Sequence, residues 1–116
     1  MPSQGFASLM REFCDIRRTP APVGGKAQDA QPHIGDLRCT PLMPVSAEVA
    51  VRAGLDSPAG RAVIYVDGDV DVRASGDVLV LGEKFYPIVS AARYDAMRNG
   101  RSVMEIVVQT VKTERR

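Results

Sequence analysis

The stretch Asp77-Val-Leu-Val-Leu-Gly-Glu-Lys-Phe-Tyr-Pro-Ile-Val89 decides the fold class. Two apolar runs flank Gly82-Glu83, and glycine at the first turn position suits a type II′ turn, whose backbone twist matches that of paired strands. A lone hairpin is marginal in water, so further strands are expected on either side. Downstream, Val103-Met-Glu-Ile-Val-Val-Gln-Thr-Val111 places Met104, Ile106 and Val108 on one face, with Glu105 and Gln109 on the other. Upstream, Arg61-Ala-Val-Ile-Tyr-Val-Asp67 is a β-branched run that ends in an Asp-Gly turn. Leu37 to Val45 reads as extended, and Pro41 and Pro44 push it toward an edge, because proline has no N–H to give to a ladder. Between these runs, Ser46 to Gly54 predicts a short helix capped by the Ser46 hydroxyl and ended at Gly54. Short strands separated by turn signals predict a mostly β fold: a small antiparallel β-barrel or sandwich with one short helix. Val63, Tyr65, Leu79, Leu81, Ile88, Ile106 and Val108 are its expected core.

The N-terminal part reads differently. Phe6, Leu9, Met10 and Phe13 recur at helical spacing, with the stem of Arg17 one turn further on, and predict an amphipathic helix over Ser3–Arg18 capped by Ser3. The proline- and glycine-rich run from Thr19 to Pro32 reads as a flexible linker. The expected organisation is therefore a helical arm with its linker over 1–32, the barrel over 33–112 and a charged tail over 113–116. A helix this short gains stability only by packing, and its stripe suits its own domain or a neighbouring subunit equally well.

The chain has 116 residues, 45% hydrophobic and 25% charged, and a net charge of +1. That size suits one domain, and the balance argues against disorder, coiled coil and a globally basic nucleic-acid binder. No apolar run is long enough to cross a bilayer, and Arg11, Glu12 and Asp15 interrupt any signal-like region near the N-terminus. No membrane partner is expected.

No catalytic set emerges, and the protein is read as not an enzyme. Asp67-Gly-Asp-Val-Asp71 resembles the start of a calcium loop, but Val72 and Val78 stand where glycine and glutamate are required. Alternation of Asp with Val fits a half-exposed strand after a turn. His33 has no second histidine, and Cys14 and Cys39 lack a CxxC spacing, so neither metal nor cofactor is expected and both thiols are read as free. Tyr94 among Arg93, Arg98 and Arg101 is the one basic–aromatic mixture, able to touch protein or nucleic acid. Residues 61–90 carry a net negative balance and residues 91–116 a net positive one, an arrangement that could pair copies head to tail. The candidate subunit interface is thus Phe6, Leu9, Met10, Phe13, Arg93, Tyr94, Arg98 and Arg101.

Pro44-Val-Ser-Ala-Glu-Val-Ala-Val-Arg-Ala-Gly-Leu55 and Arg73-Ala-Ser-Gly-Asp-Val-Leu-Val-Leu-Gly-Glu-Lys-Phe-Tyr-Pro-Ile88 resemble the small head–tail joining proteins of tailed bacteriophages, a group that includes head-completion, stopper and lambda-type tail-attachment proteins. In that group an Arg-x-x-Gly-Asp-x-Leu turn opens a hairpin whose second strand carries an aromatic, and a last apolar strand closes the sheet. The resemblance implies a structural neck subunit that forms a ring with copies of itself. Its partners would be the portal or adaptor ring and tail proteins, close to packaged DNA, in the virion neck after assembly in the host cytoplasm. The alternatives are a small barrel that binds nucleic acid and a tail-terminator or tail-tube subunit.

Overall fold

Strands that close on themselves dominate the computed structural model, which describes residues 10–26, 28–74, 76–94 and 102–110. In chain order the elements are β1 (Glu12–Arg18), β2 (Gln31–Cys39), β3 (Met43–Pro44), α1 (Ala47–Arg52), β4 (Arg61–Asp67), β5 (Asp77–Leu81), β6 (Lys84–Tyr94) and β7 (Val103–Gln109). The seven-stranded sheet runs β2-β1-β5-β6-β7-β4-β3, and a further pairing of β2 with β4, next to the short edge strand β3, closes it into a barrel. Every pairing is antiparallel. The mostly β fold with one short helix is the one expected.

The deciding hairpin forms as its sequence dictates. Leu81 faces Lys84 across the turn, and Gly82 takes φ +64°, the left-handed value that the first position of a type II′ turn demands. The inner face collects Leu79, Ile88, Met104, Ile106 and Val108 with Ala62, Ile64, Val66, Cys14, Ile16 and Cys39 into one buried cluster.

The N-terminal helix is corrected over its second half. Glu12–Arg18 is a strand, held between β2 on one side and β5 on the other. Two ladders satisfy its backbone on both edges, and the strand buries Cys14 and Ile16 where a helix would have turned them apart. The Ser3–Leu9 part of the predicted helix lies outside the described residues.

The linker is also corrected. Pro32 and His33 already belong to β2, and Gly24-Gly25 forms a tight turn with φ +59° and +80°, closed by hydrogen bonds in both directions between Val23 and Lys26 at 3.0 Å. Positive φ at both central positions is a type I′ signature that glycine adopts without strain. Residues 19–26 and 28–30 are thus the distal part of a β1–β2 hairpin, and the boundary at 32/33 cuts through a strand. In β2 the register slips twice against β1, with Asp36 at φ +57°. The Asp15 carboxylate accepts from the Asp36 N–H at 2.9 Å and steadies this bulge.

Outside the barrel sits a second, smaller layer. The Ser46 hydroxyl accepts from Val49 N–H at 3.1 Å to start α1, and Leu55 N–H donates to Ala50 C=O at 2.8 Å beyond its end. Val45, Val49 and Ala50 pack there on Val63 and Val107, with Tyr65 and Val89 at the margin. Val63 is buried as expected, though it faces the helix with the half-buried Tyr65, while Ala62, Ile64 and Val66, which are absent from the expected core, point into the barrel. Tyr65 and Leu81 are only partly buried. The last strand keeps its predicted faces but is covered on both, so that Val103 through Val108 are all buried. Val111, the expected end of that strand, lies outside the described residues.

Candidate interaction surface

Strand alternation sorts the side chains of β1, β5 and β6 into an inner set and an outer one. With Cys14, Ile16, Leu79, Tyr86 and Ile88 against the core, the outer face carries Phe13, Asp15 and Arg17, Val78 and Val80, and Phe85 and Pro87. Register places Asp15, Val80 and Phe85 in one cross-strand row and Arg17, Val78 and Pro87 in the next. Phe13 is 59% exposed and Phe85 54%, while Val78 and Val80 are half-buried. The Arg17 guanidinium lies over the Phe85 ring, 5.3 Å from its centroid. Two exposed phenylalanines, half-buried valines and a cation stacked on one ring make this an exposed, partly apolar face.

The hairpin that supplies this face is fixed by a buried carboxylate. Asp77 accepts from Arg18 Nε on Oδ1 at 2.8 Å and from Arg18 Nη2 on Oδ2 at 2.8 Å, and its Oδ2 also takes the Arg73 backbone N–H at 2.7 Å. Burial alone would raise the Asp77 carboxyl; the Arg18 fork and the Arg73 N–H outweigh it and hold the group below the ordinary carboxylate range. The Asp of the Arg-x-x-Gly-Asp-x-Leu segment is therefore structural: it fastens the loop entering β5 to the end of β1.

On the opposite side of the barrel Glu105 plays the matching part for the helix. Its buried carboxylate takes a salt bridge from Arg52 of α1 and a hydrogen bond from the Tyr65 hydroxyl at 2.7 Å, and the Arg52 guanidinium lies 5.6 Å from the Tyr94 ring centroid. Burial would raise this carboxyl too, but the Arg52 and Tyr65 bonds hold it low. Burial and the bond to Glu105 push the Tyr65 hydroxyl up to about 12.

The eight candidate interface residues are not brought together. Phe6, Leu9, Arg98 and Arg101 lie outside the described residues. Met10 is buried and gives its carbonyl to Arg38 at 3.0 Å, whereas Phe13 points outward; the common stripe is lost because the chain is extended there. Arg93 and Tyr94 end β6, where Arg93 meets Asp69 at 2.7 Å. Asp69 is paired with Arg93, and Asp71 with Arg18 at 3.1 Å, within one chain. Residues 69–74 are irregular and not the predicted strand, though Val70 and Val72 do pack inward while Asp69 and Asp71 face solvent. His33 Nε2 lies 3.0 Å from the Asp71 carbonyl. Among the described residues no three His, Cys, Asp or Glu side chains are grouped to hold a metal. No described helix is long and apolar enough to cross a membrane.

Sequence reasoning missed Val78, Val80, Phe85 and Pro87, and placed Arg17 on a helical stripe. Their signal was the alternation itself, readable once β1 is taken as a strand beside β5. No family model, curated protein or solved structure matches the chain.

Proposed function

We propose that the protein is a structural subunit of a tailed-bacteriophage neck. Copies would associate as a ring between the portal or adaptor and the tail, close the DNA-filled head, and act by adhesion with no catalysed step. Assembly would take place in the host cytoplasm and end in the virion. The observation that carries the reading is where the phage-like segment lies: Arg73–Ile88 supplies four members of the exposed face, Val78, Val80, Phe85 and Pro87. The segment that resembles joining proteins is thus the one that presents apolar surface to a neighbour. Because Asp69, Asp71 and Asp77 are met by arginines of their own chain, the adhesive term between subunits is apolar burial, at roughly 25 cal/mol per Å², rather than charge pairing.

The nucleic-acid alternative is weaker, since Arg93, the described arginine of its basic loop, lies against a carboxylate. Electron microscopy of particles assembled without this protein tests the proposal. Tailless or DNA-leaking heads are expected. Filled heads with tails of abnormal length would favour a tail-terminator subunit, and normal virions would exclude a neck role.

A further inference from the structure

We propose that one end of the barrel is a docking groove for an extended peptide segment of another protein, apolar in character and carrying one carboxylate that Arg61 receives. The groove has a volume of about 1170 Å³ and lies where the ends of β4, β6 and β7 come beside β3. One wall is the tip of the β5–β6 hairpin, with Phe85 and Tyr86, and the other is Leu42 at the start of β3. Between them run Ala62 and the terminal β4–β7 pair, Arg61–Gln109. Leu42, Ala62 and Tyr86 also pack into the barrel's inner cluster, so the floor of the groove is continuous with the core.

Arg61 gives the groove its chemistry. Its Nη1 donates to the Ser57 C=O at 3.1 Å, but the Nε–H, covered from solvent, meets no acceptor among the described residues. A buried donor left unpaired is costly, and it marks a place for an acceptor. The Nε–Nη2 edge is the one with which Arg18 forks onto the Asp77 carboxylate, so a carboxylate is the acceptor that fits. Arg61 as a residue is only half-buried, and a small turn of its guanidinium brings that edge to the groove. Glu83 and Lys84, which also line the groove, offset each other and leave Arg61 to set its sign.

The backbone favours a peptide over a small apolar acid. β6 pairs with β5 from Lys84 onward, but its ladder with β7 begins at Ile88–Val108. Among the described residues, the far edge of Lys84–Tyr86 therefore carries no strand. A short extended segment can add to that edge while its side chains alternate between the apolar walls and Arg61.

The test uses the full chain without substitution. Magnetic resonance spectra follow the Arg61 Nε–H signal and the backbone amides of Lys84–Tyr86 during titration with the peptide Ser-Leu-Glu-Leu-Ser, capped at both ends. Both sets of signals are expected to move together and saturate, and the peptide with glutamine in place of glutamate should bind about tenfold more weakly. No saturable shift, an equal response to the glutamine peptide, an equal response to acetate, or tighter binding of decanoate than of the peptide would each overturn the proposal. So would a hydrogen-bond coupling from Arg61 Nε to an acceptor in the free chain, because the donor would then be satisfied already. Arg61→Lys keeps the charge but loses the fork, and should weaken the peptide by about tenfold. Undiminished binding by that variant, folded, also counts against the groove.

Discussion

Arg18 and Asp77 face each other across the β1–β5 ladder and close a two-pronged ion pair, Nε to Oδ1 and Nη2 to Oδ2, both at 2.8 Å. The Asp77 side chain is fully buried, and its charge is compensated by this fork and by the Arg73 N–H. A buried carboxylate is costly unless it is paired and hydrogen-bonded. Here the pairing ties the strand that the helical spacing concealed to the hairpin that decides the fold.

Asp77→Asn keeps the shape but removes the charge, and is expected to cost about 2–4 kcal/mol. Arg18→Lys should also destabilise, because an ammonium cannot fork onto both carboxylate oxygens. Urea unfolding of the two single variants and the double variant measures the coupling. Additive effects would show that the fork contributes nothing specific.

The pH dependence follows from Asp77 and Glu105. Both carboxyls are held below their ordinary values in the folded protein. Their stabilisation is therefore complete above the unfolded carboxylate range near pH 4 and is lost as pH falls through the lower folded values. The urea midpoint should drop between about pH 4 and pH 2. Asp77→Asn and Glu105→Gln should each flatten that drop, and a midpoint that ignores pH in this window would contradict the assignment.

Removing residues 1–30 deletes β1 and leaves the facing edges of β2 and β5 unpaired. The truncated chain is expected to lose its cooperative thermal transition and its far-ultraviolet β signal. A truncated protein with the parent midpoint would show that β1 is dispensable to the barrel.

Leu79 is fully buried at the barrel centre, and Leu79→Ala should cost about 2–5 kcal/mol by denaturant titration. Ile16→Ala should fall in the same range, since Ile16 is equally buried on β1. An unaffected midpoint in either case would show that the inward face is misassigned.

Phe13→Ser and Phe85→Ser alter exposed positions, so each should change stability by no more than about 0.5 kcal/mol. On the proposed ring-forming role, the double variant should fail to self-associate in sedimentation experiments under conditions where the parent does, and should fail to complete particles. Unimpaired assembly would move the interface elsewhere.

Local chemistry in the sequence settled the deciding hairpin, the capped helix and the strands on either side of it. The Gly82 turn, the Ser46 cap and the alternation of β7 each act through neighbours only a few positions away. Three matters needed the tertiary structure. Phe13 through Arg17 satisfy a helical spacing and a strand alternation alike, and only the flanking edges of β2 and β5 choose between them. Ala62 to Val66 is apolar on both faces, so which face turns inward depends on where α1 lies down. The pairing of Arg93 with Asp69 and of Arg18 with Asp71 spans positions far apart in the chain, and charge summed along the sequence cannot reveal it. Backbone propensity acts over a few residues, whereas faces, partners and burial are decided by which surfaces the closed barrel brings together.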